Sequence, residues 1–240
     1  MSAEPIAHWY ASFETLRAGM TVDGPRDLSI RGRRIPGNCL APAEQAELDR
    51  FRDPSRREAW NWGRVLAKQL LREQLSDRVA AGDRIEIRSR NGGGQSVRPT
   101  VRVNGGPLDV CLSISHSNRG VFVAASTDRQ LGVDLVDLSR FKPGSLDAWF
   151  TEAEREHLKA DDVKRQAVLW AIKESVYKAA NAGEPFAPKS IEVDLTGPRC
   201  RYRGRDFGDD CRIHVNDVDG HVAVMAAWQS VDRTDMNRAE

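Results

Sequence analysis

The sequence predicts an α+β protein built from two similar halves, and three observations lead to that prediction. Helical patterns come before short strand patterns in residues 1–126 and again in residues 127–240. Each half has its own helix-start signal, Asp53 with Pro54 in the first and a capping box at residues 151–154 in the second. The 240 residues also suffice for two units of about 120, each able to bury a core. We therefore expect a pseudo-duplicate whose halves meet near residue 126.

The first half is expected to open with loop and to continue with helices and then strands. Residues 19–39 are rich in Gly, Pro and Arg, which favours loop with one short strand around residues 28–30. A short helical pattern runs from Pro42 to about residue 51. In the long helix after Pro54, the residues that recur every four positions and face a core are Trp62, Leu66 and Leu70. The cationic side chains expected on its other faces are Arg56, Arg57, Arg64 and Lys68. The strands expected next are residues 85–88, 97–103 and 108–114.

A β-hairpin is expected where the halves meet. Residues 121–125 form an apolar run typical of a buried strand, residues 127–130 are typical of a turn, and residues 131–135 alternate as a second strand. The hairpin would span residues 121–136. In the second half we expect a short helix after the capping box and a longer one over residues 163–180. The strands expected to follow are residues 191–195, 200–203, 211–215 and 221–228.

Composition favours a folded protein with an uneven charge distribution. Hydrophobic residues make up 40% and charged residues 30% of the chain, close to the globular average. Residues 1–120 hold 19 Lys and Arg against 14 Asp and Glu, whereas residues 121–240 hold 17 against 21. This asymmetry suits an anionic ligand on one side and a cation held by carboxylates on the other; an uneven solvated surface is the alternative.

The chain lacks the patterns of export, membrane insertion and structural zinc. Its four cysteines form no Cys-x-x-Cys pair, and no stretch reaches the roughly 20 apolar residues that span a bilayer. Residues 1–9 also lack a basic segment followed by an apolar run. We therefore expect reduced thiols, a cytoplasmic location and no membrane partner.

Asp134 is the first candidate for chemistry. It lies in a strand pattern between Leu131 and Val136, where it shares a face with Gly132 and Val136. Desolvating an ionised carboxylate costs several kcal/mol unless a hydrogen bond, a charge or a metal compensates. Either Asp134 has such a partner, or it ends its strand pointing into water.

Glu174, Ser115 and His116 are the other candidates. Glu174 and Lys178 are four residues apart on one helical face with Trp170, a spacing equally typical of a solvent-exposed ion pair. Ser115 and His116 lie where a strand leaves into a loop, where hydroxyl, imidazole and backbone amides can bind an anion. A purely structural histidine is the alternative there.

Four motifs in this order resemble one enzyme family. They are Ile-Ser-His-Ser at residues 114–117, Leu-Gly-Val-Asp-Leu at 131–135, Trp-Phe-Thr-x-x-Glu at 149–154 and Trp-x-x-Lys-Glu-Ser-x-x-Lys at 170–178. Together they resemble the 4′-phosphopantetheinyl transferases, particularly the single-chain surfactin-synthetase-activating type, over residues 63–195. The resemblance implies a fold of two similar α+β halves that bind coenzyme A between them.

The resemblance also implies an activity and roles for individual residues. The chain would transfer the 4′-phosphopantetheine of coenzyme A to a serine of an apo-carrier protein and release adenosine 3′,5′-bisphosphate, as a holo-[acyl-carrier-protein] synthase does. Asp134 and Glu174 would bind Mg²⁺, Lys178 would lie near the pyrophosphate, and Glu174 and Lys178 would be the catalytic pair. Ser115 and His116 would contact coenzyme A phosphates. The candidates for the 3′-phosphate are Arg64 and Arg90, with Arg88 and Arg98 as further basic residues. A monomer suffices for a site between two halves of one chain.

Three departures from the family pattern affect these expectations. Val136 stands where many members have a third carboxylate ligand, and either water or Asp137 would complete the metal shell. Asp137 is the weaker candidate, because an ideal strand points it to the face opposite Asp134. The helix-end pattern after Lys178 reads Ala-Ala-Asn-Ala-Gly. The adenine-side Gly-Lys-Pro is replaced by residues 94–99, apparently with an insertion.

Two other functions remain open from the sequence. A non-catalytic descendant could bind coenzyme A or a carrier protein without transfer, and the missing carboxylate at Val136 supports it. A nucleic-acid-binding module could use the Arg-rich first half, but the chain has no motif or interleaving of aromatic and basic residues of the kind that stacks bases. The fatty-acid, polyketide and nonribosomal-peptide pathways all remain possible sources of the carrier.

Overall fold

The computed structural model describes helices and antiparallel strands in both halves of the chain. It describes residues 6–17, 21–23, 29–31, 40–90, 96–142, 146–159, 161–180, 185–194, 199–207 and 210–229. The helices are α1 (Phe13–Arg17), α2 (Pro42–Leu48), α3 (Pro54–Gln74), α4 (Leu146–Trp149), α5 (Glu152–Glu156) and α6 (Val163–Ala180). The strands of the first half are β1 (Ala7–Ser12), β2 (Thr21–Asp23), β3 (Ser29–Arg31), β4 (Ile85–Arg90), β5 (Ser96–Val103), β6 (Gly106–Leu108), β7 (Cys111–His116) and β8 (Gly120–Ser126). Those of the second half are β9 (Arg129–Asp137), β10 (Ile191–Asp194), β11 (Arg199–Tyr202), β12 (Arg205–Asp206), β13 (Arg212–Val218) and β14 (His221–Gln229). The α+β class is confirmed.

The long helix α3 starts as the sequence predicts. Asp53 is the N-cap, and its Oδ1 accepts hydrogen bonds from the backbone N–H of Ser55 at 2.8 Å and of Arg56 at 3.2 Å. The prediction that Arg64 and Lys68 lie on outward faces is wrong, because both are buried, at 3% and 0% exposure. The apolar periodicity assigns only apolar side chains to the buried face of a helix. It cannot show that a lysine is buried because it pairs with a buried carboxylate from another helix.

The strands form several antiparallel sheets, and two of them pack against each other through a shared apolar cluster. One has the order β1-β8-β7 and the other β13-β14-β9. The predicted hairpin over residues 121–136 is wrong: β8 pairs with β1 and β7, whereas β9 pairs with β14. Residues 127–128 therefore carry the chain from one sheet to the other. The alternating apolar pattern identified both strands correctly, but it does not encode which strand each one pairs with.

Side chains, not a backbone ladder, join these two sheets at β7 and β9. The N–H of Val133 donates to Ser113 Oγ at 3.0 Å, and that of Leu135 donates to Ser115 Oγ at 3.2 Å. Cys111 Sγ accepts from the N–H of Leu131 at 3.4 Å. We call Cys111, Ser113 and Ser115 the inter-sheet row. Because the three residues alternate along β7, their side chains lie on one face of that strand and accept hydrogen bonds from three backbone N–H groups of β9.

A buried ion pair fastens the helices of the first half to a strand. Glu44 of α2 lies 2.5 Å from Lys68 of α3, and their side chains are 1% and 0% exposed. The same carboxylate accepts hydrogen bonds from the N–H of Ala41 at 2.6 Å and of Ile87 on β4 at 3.0 Å. One acidic side chain therefore joins two helices and a strand.

The second half repeats this arrangement. Glu154 of α5 lies 2.7 Å from Lys173 of α6, with side chains 2% and 0% exposed. Its carboxylate accepts from the N–H of Thr151 at 2.8 Å, as in a capping box, and of Val193 on β10 at 2.9 Å. A short helix, a long helix and a strand are thus joined by an acid–lysine pair in each half, as expected of a pseudo-duplicate.

Gly132 allows α6 to pack closely on β9. A Cβ atom at this position would lie 2.1 Å from the carbonyl oxygen of Ser175 and 2.5 Å from the amide nitrogen of Ala179, both atoms of the α6 backbone. Only glycine avoids that clash. The close approach brings Glu174 and Lys178 of α6 beside Asp134 of β9. Among the described residues, no helix is both long enough and apolar enough to cross a membrane.

Candidate active site

A cleft of about 810 Å³ opens where the two halves meet. The start of α3, the end of β7 with the loop after it, the end of β9 and one face of α6 all contribute to its walls. Both halves of the chain therefore form it. Its lining residues include candidates from three of the four motifs: Ser115, His116, Asp134, Trp170, Glu174 and Lys178.

Asp134, Glu174 and Lys178 converge within this cleft. The Nζ of Lys178 lies 2.7 Å from Oδ1 of Asp134 and 3.6 Å from Oε2 of Glu174. It also donates to the carbonyl oxygen of Val133 at 3.1 Å. The side chains of Asp134 and Glu174 are 10% and 21% exposed. Two carboxylates that are forty residues apart in the chain thus approach the same cation.

The electrostatics of this cluster follow from its burial and its charges. Burial raises the pKa of Glu174, and the nearby charge of Asp134 adds to that effect while Lys178 opposes it. Burial works against the charge of Lys178, but the carboxylates of Asp134 and Glu174 outweigh it and raise the pKa of the ammonium group. Two acidic groups face one fixed cation, so the cluster favours additional positive charge.

The donor set of this cluster fits a magnesium ion. Mg²⁺ binds through oxygen ligands, commonly one or two carboxylates with substrate phosphates and several waters. Asp134 and Glu174 supply two such carboxylates at the cleft wall. Across the described ranges, no three His, Cys, Asp or Glu side chains cluster as a larger ligand set. Val136 lines the cleft beside them without an oxygen ligand.

Ser115 is committed to neighbours within the protein. Its hydroxyl donates to Oδ1 of Asp134 at 2.9 Å and accepts the N–H of Leu135 at 3.2 Å. A hydroxyl has one hydrogen to donate. A phosphate contact from Ser115, as the resemblance implies, would compete with the bond to Asp134. In this structure Ser115 orients the carboxylate of Asp134.

His116 lies at the cleft wall with its side chain accessible to solvent. Desolvation in the cleft lowers its pKa, and the positive charges of Lys178, Arg56 and Arg64 lower it further. Cationic surroundings of this kind also attract an anion. The ring therefore lies where an anionic ligand would interact with it.

The basic residues expected at the 3′-phosphate lie elsewhere among the described residues. Arg64 is 3% exposed, donates to Ser89 Oγ at 2.6 Å and stacks over the Trp60 ring at 4.3 Å. Arg90 lies 3.4 Å from the carboxylate of Glu47. Neither is found in the described lining of the cleft.

Arg98 and Arg88 also have partners outside the cleft. Arg98 donates to the carbonyl oxygens of Lys178, at 2.9 Å, and of Ala179. It therefore holds the carboxyl end of α6, where unpaired carbonyl groups accumulate. Arg88 pairs with Glu86. Residues 91–95, which include the start of the family's adenine-side segment, and 181–183, at the helix-end pattern, lie outside the described residues.

Arg56 and Arg140 are cleft residues that the sequence did not single out as ligand contacts. Both line the cleft and are exposed. Within the described part of the chain, neither guanidinium group forms a hydrogen bond or an ion pair. Arg56 follows the N-cap Asp53 by three residues, so its place in the first turn of α3 was a usable signal. Arg140 carried no such signal.

Asp137, which could have replaced the missing third carboxylate, is paired with an arginine. Both its oxygens accept from Arg119, at 2.9 Å each, and Oδ1 also accepts from Ser139 Oγ at 2.7 Å. Burial raises the pKa of Asp137, but these hydrogen bonds and the Arg119 charge outweigh it and lower the pKa to about 2. The carboxylate is thus ionised and held by protein groups.

Comparison with known proteins supports the resemblance seen in the motifs. Residues 130–226 match the model of the 4′-phosphopantetheinyl transferase superfamily. This segment contains Asp134, Glu174 and Lys178, whereas Ser115 and His116 precede it. A curated relative is the L-aminoadipate-semialdehyde dehydrogenase-phosphopantetheinyl transferase of Xenopus laevis, 27% identical over 174 residues. That similarity covers 66% of this chain and 55% of the relative, so the chain spans about half the length of the protein it matches.

Proposed function

We propose that the protein transfers the 4′-phosphopantetheine arm of coenzyme A to a serine of an apo-carrier protein in a magnesium-dependent reaction. One observation carries the proposal. Asp134, Glu174 and Lys178 converge on a cleft between the two halves, inside the segment that matches the transferase superfamily. The carrier would come from a fatty-acid, polyketide or nonribosomal-peptide pathway.

The cleft offers separate groups for the metal and for the diphosphate of coenzyme A. Asp134 and Glu174 would hold Mg²⁺, and Lys178 would lie against a diphosphate oxygen. When bound, the metal would neutralise the charge that grows on the leaving phosphate. Ser115 would keep the carboxylate of Asp134 turned toward this position through the 2.9 Å bond.

The proposed step forms one phosphorus–oxygen bond and breaks another. The serine hydroxyl of the carrier attacks the phosphorus nearest the pantetheine arm, and the bond from that phosphorus to the bridging anhydride oxygen breaks. Adenosine 3′,5′-bisphosphate leaves with the bonding electron pair. The proton of the serine passes to Glu174 or to water beside it. Lys178 stabilises the charge on the leaving group.

The decisive experiment combines the protein with coenzyme A, Mg²⁺ and a panel of apo-carrier proteins and measures carrier mass. A carrier that gains one phosphopantetheine arm, with loss of the gain when EDTA is added, is the expected result. No gain with any carrier would contradict the proposal.

A non-catalytic binder of coenzyme A is the second candidate, and one observation favours it. Val136 lines the cleft where a third carboxylate would stand, so only two acidic side chains remain for a metal. Calorimetry with coenzyme A, run beside the transfer assay, separates the candidates. Binding without transfer to any carrier would favour the second.

Arg56 is assigned to the 3′-phosphate of coenzyme A, with His116 beside it. If Lys178 binds the diphosphate of coenzyme A, the 3′-phosphate needs another cationic side chain. Arg56 lines the cleft, its guanidinium group has no protein partner among the described residues, and its charge helps to lower the pKa of His116. Arg56→Gln is expected to raise the KM for coenzyme A about tenfold with little change in kcat, since a hydrogen bond to a charged group contributes about 1.5 kcal/mol or more.

Two controls sharpen this prediction. Dephospho-coenzyme A, which lacks the 3′-phosphate, should bind the wild type and Arg56→Gln equally. Arg52→Gln removes a nearby exposed arginine that is absent from the cleft lining and should leave the KM unchanged. Arg140→Gln is measured in parallel. If only Arg140→Gln raises the KM for coenzyme A, the assignment of the 3′-phosphate to Arg56 is wrong.

A further inference from the structure

The alternating contacts of the inter-sheet row continue past the end of β7. Ser117 and Arg119 follow Ser115 at the same two-residue spacing, and each binds the second half of the chain. Ser117 Oγ lies 2.7 Å from Nε2 of His221. Arg119 forms the two-bond pair with Asp137 described above. Every second residue from Cys111 to Arg119 therefore contacts β9 or the start of β14.

The hydrogen bonds of His221 identify its donor and acceptor atoms. Its Nδ1 lies 3.1 Å from the carbonyl oxygen of Asp219, which can only accept, so Nδ1 carries the hydrogen. In the neutral ring Nε2 is then an acceptor, and Ser117 donates to it. His221 is 1% exposed, and burial lowers its pKa, which favours that neutral form. Ser117 Oγ also accepts the N–H of Arg119 and of Gly120, at 3.1 Å each.

The second contact, between Arg119 and Asp137, lies beside the first. A Cβ atom at Gly220, next to His221, would approach Nη2 of Arg119 to 3.2 Å. The N–H of Leu138 donates to the carbonyl oxygen of Gly220 at 3.1 Å. The turn after β7, the end of β9 and the turn before β14 are thus bonded to one another at one corner of the cleft.

We propose that Ser117, Arg119, Asp137 and His221 form a latch that positions His116 relative to Asp134. His116 lies between Ser115, which is bonded to Asp134, and Ser117, which is bonded to His221. The backbone of His116 is therefore held on both sides by the second half of the chain. These four are positioning residues. Their effect on catalysis rests on the proposed function, and their effect on the geometry of the cleft does not.

The test compares Ser117→Ala and His221→Phe with the wild type. Ser117→Ala removes the donor to His221 and also the acceptor of the Arg119 and Gly120 N–H groups. His221→Phe removes only the acceptor of the Ser117 bond and keeps an aromatic ring beside Tyr10. His221→Phe is expected to raise the KM for coenzyme A about fivefold, the equivalent of one hydrogen bond of about 1 kcal/mol, and Ser117→Ala at least as much, with little change in the KM for the carrier. The double variant should be no worse than the more severe single variant. Ser117→Thr, which keeps the hydroxyl, should restore the KM.

Ser126→Ala is the matched control. Ser126 binds the turn at the opposite end of β8: its hydroxyl donates to Asp128 at 2.7 Å and accepts the N–H of Arg129 at 3.2 Å. Removing this hydroxyl in Ser126→Ala should lower the Tm without changing the KM for coenzyme A. If the latch variants lower the Tm in the same way and leave this KM unchanged in an active enzyme, the latch is only structural and the proposal is overturned.

Hydrogen exchange gives a readout that is independent of activity. The amides of Arg119 and Gly120 should exchange about fivefold faster in His221→Phe, because the bond that orients Ser117 is lost. The amide of Arg129 should be unaffected. Unchanged exchange at Arg119 and Gly120 in His221→Phe would overturn the latch, whether or not the wild type transfers phosphopantetheine. Faster exchange in this variant, together with a wild type that transfers nothing, would support the latch and refute only the proposed function.

Discussion

Asp134→Ala and Glu174→Gln are each expected to reduce transfer by at least about 100-fold, because each removes one of the two carboxylates proposed to bind the metal. Both side chains approach the same point, marked by the Nζ of Lys178 at 2.7 and 3.6 Å. The remaining carboxylate, paired with Lys178, would bind Mg²⁺ more weakly and leave it less well placed against the diphosphate. The rate of phosphopantetheine transfer at saturating coenzyme A, measured across a series of Mg²⁺ concentrations, checks this.

Glu152→Gln is the control for these two variants. Glu152 is an exposed acidic residue of α5 outside the cleft lining, so its loss should leave transfer unchanged. Circular dichroism should show that all three variants fold. Near-normal turnover of Asp134→Ala or Glu174→Gln at saturating Mg²⁺ would refute the metal assignment.

The largest loss of stability is expected from Glu154→Ala, at about 3–5 kcal/mol, the typical effect of leaving a buried charge unpaired. The carboxylate of Glu154 neutralises Lys173, whose side chain is 0% exposed. It also accepts the N–H groups of Thr151 and Val193, which would lose their partner. Chemical denaturation measures the free energy of unfolding.

Glu44→Ala should give a loss of similar size, because Glu44 holds Lys68 and the N–H of Ile87 in the first half. Glu152→Ala, on the same helix as Glu154 but exposed, should change stability by no more than about 0.5 kcal/mol. Replacing the pair together, as Glu154→Leu with Lys173→Met, should recover part of the loss. A loss below about 1 kcal/mol for Glu154→Ala would show that the pair contributes little.

The sequence predicted elements better than partners. Helix α6 begins and ends where its pattern does, and the N-cap Asp53 and the capping box of Thr151 are both present. Those signals are local, because they depend on residues within a few positions of one another. The hairpin at residues 121–136 failed because the choice of partner strand is a long-range property. Lys68 was misplaced for the same reason, since its partner Glu44 lies in another helix.

The candidate site shows the same division. The sequence named Asp134, Glu174 and Lys178, and the fold brings all three together in the cleft. It named Arg64 and Arg90 as basic candidates for the 3′-phosphate, and in the fold Arg64 contacts Trp60 and Ser89 while Arg90 pairs with Glu47. Arg56 and Arg140 line the cleft because the start of α3 and the end of β9 meet there; the start of α3 is signalled locally by Asp53, but its meeting with β9 is a long-range property.

The inter-sheet row has a consequence for how the two halves can diverge. Backbone hydrogen bonds between paired strands form with almost any sequence. Each of the hydrogen bonds between the inter-sheet row and β9, in contrast, uses one side chain of β7 and can be removed by one mutation. A substitution at Ser115, which lines the cleft, would change both the contact between the sheets and the orientation of Asp134. A substitution at Cys111 or Ser113 would change only the contact between the sheets. Natural variation and laboratory engineering can therefore alter the joint between the sheets at Cys111 and Ser113 separately from the carboxylate that Ser115 holds.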